Sequence, residues 1–95
     1  MLNLTAPGAA SLSGRIDMAS SGAVLAPLAS LAAQGPLRLD LSGIEAADSA
    51  ALALLLEAHR VSAAAGHRLT LSGVPAGLSS LASLYNLEPL ISSGE

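Results

Sequence analysis

LRLDLSGIEAADSAALALLLEAHRVSAAAGHRLTLS, residues 37–72, decides the fold. Leu37, Leu39 and Leu41 alternate with Arg38, Asp40 and Ser42, so an extended segment here buries one side and wets the other. Residues 43–47 read as a loop, after which about residues 49–65 form one apolar-periodic helix closed by Gly66. Alternation returns in Arg68, Leu69, Thr70, Leu71 and Ser72. Strand, helix and strand joined this tightly make a right-handed crossover with the two strands parallel. Strands covered on both faces are continuous apolar runs, so the alternation predicts helices on one face and a wet opposite face.

Upstream, Leu2 and Leu4 alternate with polar neighbours, residues 6–9 supply turn chemistry, and Ala10, Leu12, Gly14 and Ile16 share one side of a second strand. Ser20-Ser21-Gly22 starts a helix in which Val24, Leu25, Leu28 and Leu31 recur at helical spacing until Gly35-Pro36. Pro27 is tolerated if the helix begins near Gly22, because the first turn has amides without internal partners. Downstream, Gly73-Val74-Pro75 leads into a third helix with Leu78, Leu81, Ala82 and Tyr85 on one stripe, ended by Asn86. Residues 87–91 add a short edge strand, and residues 92–95 form a frayed tail. The expectation is one α/β domain over residues 1–95, with its core in about residues 2–91. Its sheet is mixed and four- to five-stranded, with helices packed mainly on one face.

Composition narrows function. Hydrophobic residues make up 52%, yet Phe and Trp are absent and Tyr85 is the one aromatic, so the core is aliphatic and nucleic-acid bases have almost nothing to stack on. Net charge is −3, and the cations Arg15, Arg38, Arg60 and Arg68 are dispersed, which excludes a phosphate-backbone binder or a polybasic membrane patch. The lack of cysteine excludes disulfides and thiolate metal sites. MLNLTAPG has no charged leader before an apolar run, so no signal peptide is expected. The longest candidate span, residues 22–33, is roughly 12 residues against the ~20 that cross a bilayer. The chain reads as soluble and cytoplasmic.

At about 100° per residue the long helix places Leu52, Leu55, Leu56 and Ala63 on one arc and Leu54, Ala58, Val61 and Ala65 on the adjoining one. Ser49, Ala53, Glu57 and Arg60 remain as an outward ridge, small enough at its top for another protein to approach closely. With loop residues 43–48, the candidate partner-binding set is Asp48, Ser49, Ala53, Glu57 and Arg60. Locally, Asp48-Ser49 is a cap worth ~1 kcal/mol. If one residue caps, the other side chain is free, and Ser49 is then a candidate phosphorylation site. The added charge is favoured by the helix N-terminus and opposed by Asp48. Tyr85 reads first as a core aromatic with its hydroxyl at the surface. Leu84 lies one step off the buried stripe, so Leu84, Tyr85 and Leu87 form a candidate secondary contact rim.

His59 and His67 have no third ligand at metal spacing, and they read as structural or surface residues. The serines lie in no nucleophile elbow and the glycines in no phosphate-cradling loop. Asp40 and Asp48 are the only carboxylate couple for acid/base chemistry, and both read as caps and loop anchors. No catalytic residue and no cofactor is expected.

Taken in order, Gly14-Arg15-Ile16-Asp17, Leu39-Asp40-Leu41-Ser42, Asp48-Ser49 followed by Leu52, and Leu71-Ser72-Gly73-Val74 resemble the junctions of the STAS domain. That is the fold of anti-sigma-factor antagonists and of sulfate-transporter tails. Within the family, Val24-Leu25-Ala26-Pro27-Leu28, Leu52-Ala53-Leu54-Leu55-Leu56 and Leu81-Ala82-Ser83-Leu84-Tyr85-Asn86-Leu87 are most similar to the cytoplasmic STAS subunits of Mla-type phospholipid ABC transporters. The resemblance implies a non-catalytic protein that binds the transporter's ATPase subunit and supports its assembly and activity in maintaining outer-membrane lipid asymmetry. It would sit at the cytoplasmic face of the inner membrane through its partners, without inserting and without nucleic acid. The family's regulatory hydroxyl falls on Ser49. In antagonists that hydroxyl is phosphorylated by a partner kinase, and in the transport branch it belongs to the ATPase-facing surface. The alternative implied is therefore an anti-sigma-factor antagonist regulated by phosphorylation of Ser49. Ala50-Ala51 departs from the antagonists' usual small pair containing glycine.

Overall fold

The structure is a computed structural model that describes residues 1–87. Leu37, Leu39 and Leu41 are buried while Arg38, Asp40 and Ser42 are exposed, so the alternation acts as expected. Four strands and three helices follow one another as β1 (Leu2–Ala6), β2 (Ala9–Ile16), α1 (Ser21–Gln34), β3 (Leu37–Ala47), α2 (Ser49–Ala64), β4 (Leu69–Ser72) and α3 (Ala76–Leu84). The strands lie side by side in sequence order. The first two form an antiparallel hairpin with Leu4 opposite Ala10. The remaining pairs are parallel, with Ala10 opposite Leu39 and Leu39 opposite Leu71. This is the expected mixed sheet with four strands. The expected fifth strand lies, beyond Leu87, outside the described residues, as does the expected tail.

Each crossover carries a helix, and both helices lie over the face that holds Leu12, Ile16, Leu39, Leu41 and Leu71. Leu28, Leu55 and Leu78 meet that face from α1, α2 and α3, and the resulting core is wholly aliphatic. Burial of Leu-sized side chains at about 25 cal/mol per Å² is the main force holding the helical layer on the sheet. The other sheet face presents Arg38, Asp40, Ser42 and Ser72 to solvent.

Three expectations need correction. Residues 43–47 are not a loop: they continue β3 and pair with residues 13–16 of β2, and Ile44 is 9% exposed. Two register shifts absorb the extra residues of β3, which is how a glycine-containing stretch stays in the ladder. Leu25 does not belong to the buried stripe of α1. It is 37% exposed, and Ala32 is buried with Val24 and Leu28. Pro27 is the seventh residue of α1, past the free amides of the first turn, so Ala23 loses its intrahelical donor on an exposed flank.

The helix ends follow their sequence signals. Gly66, at φ +78, lets its amide donate to the Ala63 carbonyl at 3.0 Å and the His67 amide to the Ser62 carbonyl at 2.9 Å. This crossed pair is a Schellman closure of α2. Asn86 closes α3 in the same way at φ 57, with its amide on Ser83 and that of Leu87 on Ala82.

Candidate functional site

Asp48 is held extended at φ −122 and ψ −166, and its Oδ1 accepts from the Ala50 amide at 2.8 Å. Its carbonyl accepts from the Ala51 amide at 3.0 Å. The cap is therefore Asp48, and Ser49 is the first helical residue, exposed, with a hydroxyl that makes no hydrogen bond among the described residues. One turn on, Ala53 is also exposed. Two turns on, Arg60 Nε donates to Glu57 Oε1 at 2.9 Å and Nη2 to Oε2, a bidentate pair. That hydrogen bonding holds the Glu57 carboxyl below the usual range and the Arg60 guanidinium above it. The structure thus brings Ser49, Ala53, Glu57 and Arg60 onto one line of α2, with Asp48 before it as the cap and its lower end closed by an internal ion pair.

Two open grooves flank the top of this ridge, one on each side. The first, of about 410 Å³, lies between the N-terminal turns of α1 and α2 and is lined by Met18, Gly22, Leu25, Ser49, Ala53 and Leu54, among others. The second, of about 350 Å³, lies between α2 and the end of α3 and is lined by Ser49, Leu52, Ala53, Leu56, Tyr85 and Leu87. Met18 is 85% and Leu56 50% exposed, a combination that gives this face an apolar character unusual for surface positions.

Met18 is placed there by the short loop before α1. Asp17 Oδ1 accepts from the amides of Ala19 and Ser20, and the Ser20 hydroxyl donates to the Arg15 carbonyl at 2.7 Å. Burial raises the Asp17 carboxyl, but hydrogen bonds from Ser20, Ala19 and Arg15 together outweigh it and hold the group low. With its backbone pinned at Asp17 and Ser20, the loop turns Met18 outward.

Several sequence expectations change here. Leu56 is not in the buried arc, and Ala63 and Ala65 are exposed, while Ala51 and Ser62 are buried instead. The reason is that α2 packs along α1 and meets the short α3 only sparsely, so its α3-facing flank stays open. Tyr85 is not a core aromatic: it caps α3, outside its last turn, and is 53% exposed. Leu84, at 73% exposure, is off the buried stripe as expected, whereas Leu87 is only partly exposed and packs against the core. Of the expected rim, Tyr85 and Leu87 line the second groove and Leu84 does not. Sequence reasoning missed Met18 altogether and put Leu25 in the core. An unexplained apolar residue just ahead of the Ser20-Ser21-Gly22 helix start was the available clue for Met18.

Asp40 and Asp48 do not form a couple. Asp40 sits on the wet face of β3, where its Oδ1 accepts from the Ser42 amide at 2.9 Å, and these Ser42 contacts hold its carboxyl low. Seven residues of strand lie between it and Asp48, roughly 25 Å at the rise of an extended strand. Among the described residues no group of three or more His, Cys, Asp or Glu could hold a metal ion, and no helix is long and apolar enough to cross a membrane.

The fold has solved relatives. The structure of the anti-sigma factor antagonist SpoIIAA in its unphosphorylated form superposes with a TM-score of 0.73 at 18% identity, over 96% of this chain and 84% of that one. A crystal structure of Mglu matches with a TM-score of 0.63 at 23% identity, over 80% of this chain and 19% of that one. At these identities the likeness is one of fold. No curated protein sequence matches the chain significantly. A family model described as "Mlab, STAS domain" spans residues 4–92, nearly the whole sequence, and with the four-stranded sheet and its one-sided helical layer it places the chain in that STAS-domain family.

Proposed function

We propose that this chain is a non-catalytic STAS adaptor that binds the ATPase subunit of an Mla-type phospholipid ABC transporter. In that role it supports the transporter's assembly and activity in maintaining outer-membrane lipid asymmetry. It is held at the cytoplasmic face of the inner membrane by its partner, without inserting. The observation that carries this reading is the Ser49–Ala53 ridge between two apolar grooves, on a chain whose family model bears the Mlab description. Small side chains on the crest let a partner's backbone approach, and the grooves on either side accept its apolar side chains. The Glu57–Arg60 pair leaves little uncompensated charge to desolvate.

Ala53→Arg places a long cation on the crest between the grooves. Because Ala53 is exposed, Tm should stay within about 2 °C of wild type. Co-purification with the co-expressed transporter ATPase should be lost. A variant that retained full co-purification would remove the ridge from the interface.

A second reading, an anti-sigma-factor antagonist switched by phosphorylation, is favoured by one observation: Asp48 takes the capping role and leaves the Ser49 hydroxyl exposed and, among the described residues, without a hydrogen bond. It requires a gain of about 80 Da on Ser49 in protein from native cells, removable by phosphatase. Unmodified Ser49 under conditions that change sigma-factor activity would eliminate it.

A further inference from the structure

Among the described residues the sheet ends on one side at β1, whose outer edge no other strand covers. In an antiparallel pair, residues alternate between exchanging both backbone hydrogen bonds and exchanging none. Met1 and Ser13 exchange theirs, with the Ser13 amide donating to the Met1 carbonyl at 2.9 Å, and Leu2, Asn3 and Leu4 lie opposite Leu12, Ser11 and Ala10. Asn3 therefore bonds inward, while Leu2 and Leu4 aim their amides and carbonyls at the free edge. Exposed edges are normally guarded by charge, proline or a bulge. Here no charged side chain precedes Arg15, Pro7 lies beyond the strand, and the register shift falls between Leu4 and Ala6, leaving residues 2–4 regular.

A second feature lies beside that edge. Leu4 is 64% exposed, although its parity in the strand puts it on the helix-bearing face with Leu2, which packs against the core. It borders an open groove of about 300 Å³ between β1 and the end of α1, lined also by Pro7, Leu31, Gln34, Pro36 and Leu37 and by no ionisable side chain. A bare edge offers main-chain hydrogen bonds to an added strand, and an adjacent pocket takes its alternate side chains. The occupant must then be extended, uncharged and aliphatic at every second position, a description that residues 2–4 of the chain itself meet.

We infer that this edge binds a second copy of the chain, β1 to β1, antiparallel about a two-fold axis at Asn3. Leu2 of each copy pairs with Leu4 of the other, so all four outward-facing amides are used. The axis runs perpendicular to the sheet, which keeps the two helical layers on the same side. Four leucines then meet beneath the α1 helices, each groove closing over the other copy's Leu4, and the Asn3 side-chain amides, self-complementary as donor and acceptor, meet on the wet face. Uncharged surfaces meet here without the like-charge repulsion that a net charge of −3 imposes elsewhere. A strand about 17 Å long and a sheet-and-helix layer about 20 Å deep bury roughly 1,000 Å² over both copies, the lower limit for a specific interface, so the pair is weak. An isologous contact of this kind closes at two copies. It uses none of the residues lining the grooves beside α2 and does not rest on the transporter reading.

The test is sedimentation velocity of the full chain from about 10 to about 500 µM, with backbone amide exchange by NMR at the same concentrations. Expected is a mass rising from 9.3 kDa toward twice that value. The Leu2 and Leu4 amides should gain protection in step with the mass, beyond any gain at Asn3, which is bonded inward in either state. Leu4→Lys should weaken dimerisation about tenfold or more, and because Leu4 is exposed its Tm should stay within about 3 °C of wild type. Leu4→Pro, which removes an outward amide and no bond to β2, should abolish the dimer. A chain that stays monomeric would overturn the inference, even if its edge takes up an extended peptide of another protein. So would a dimer whose Leu2 and Leu4 amides stay unprotected, or one that Leu4→Lys leaves intact.

Discussion

Asp48 and Ser49 are neighbours with similar oxygen-bearing side chains, and the backbone gives them different work. The extended dihedrals of Asp48 put its carboxylate over the Ala50 amide, whereas Ser49 is already helical and turns outward. Either residue satisfies the capping preference, so their order alone does not say which one stays free. A comparable constraint operates at Gly73, at φ +64, where an added Cβ would stand 2.8 Å from both Asp40 Oδ1 and Ser42 Cβ. Gly73→Ala should destabilise by about 1–3 kcal/mol, measured by urea unfolding. Asp17 and Asp40 share the acid limb of stability with Glu57. All three carboxyls are held below their ordinary value in the folded chain. Their contribution is fully present above the unfolded value and is lost as pH falls through the folded one. The carboxylate contribution to Tm should thus begin to decline as pH falls to about 4 and be lost progressively below it. The double variant Asp17→Asn, Asp40→Asn should show a shallower decline in thermal melts across that window.

Among the elements, α1 departs most from its sequence expectation. Pro27 sits in the helix interior, removing one hydrogen bond on an exposed flank. Pro27→Ala restores that bond and removes the clash with the preceding turn, against a smaller loss from a freer unfolded chain. The expected outcome is a gain of about 1–2 kcal/mol, seen as a Tm rise of several degrees by circular dichroism. Strand identity was legible in β3 and β4 because a period of two sorts side chains onto two faces without reference to anything else. The extent of β3 was not, because pairing of residues 43–47 depends on β2 lying alongside with bulges to match. In α2 the apolar stripe was legible, but its width was not. Ten of its sixteen residues are Ala or Leu, so hydropathy marks no sharp edge.

At the scale of the whole molecule, Met18 from the loop before α1, Leu25 from α1, Leu56 from α2 and Tyr85 from the end of α3 form one exposed apolar face around Ala53. Leu55 and Leu56 are adjacent leucines on opposite sides of that division, at 1% and 50% exposure. Leu55→Ala should cost about 2–5 kcal/mol in chemical unfolding, while Leu56→Gln should change stability by no more than about 0.5 kcal/mol. If the grooves receive a partner, Leu56→Gln should nonetheless weaken ATPase binding by calorimetry. Equal stability losses in the two variants would mean that the open flank of α2 is closed in solution.

By itself, the sequence determined the order of strands and helices, the parallel crossover, the one-sided helical layer and the polar start of α2. Each of these follows from periodicity, turn chemistry and chirality, which act over a few neighbouring residues. Tertiary structure alone decided which leucines are core and which are surface, and that Asp48 rather than Ser49 caps α2. It also decided that residues far apart in the chain border two grooves about one ridge. Those outcomes depend on how closely α1 and α3 approach α2, a distance set by the packing of all three helices on the sheet and carried by no local stretch of residues.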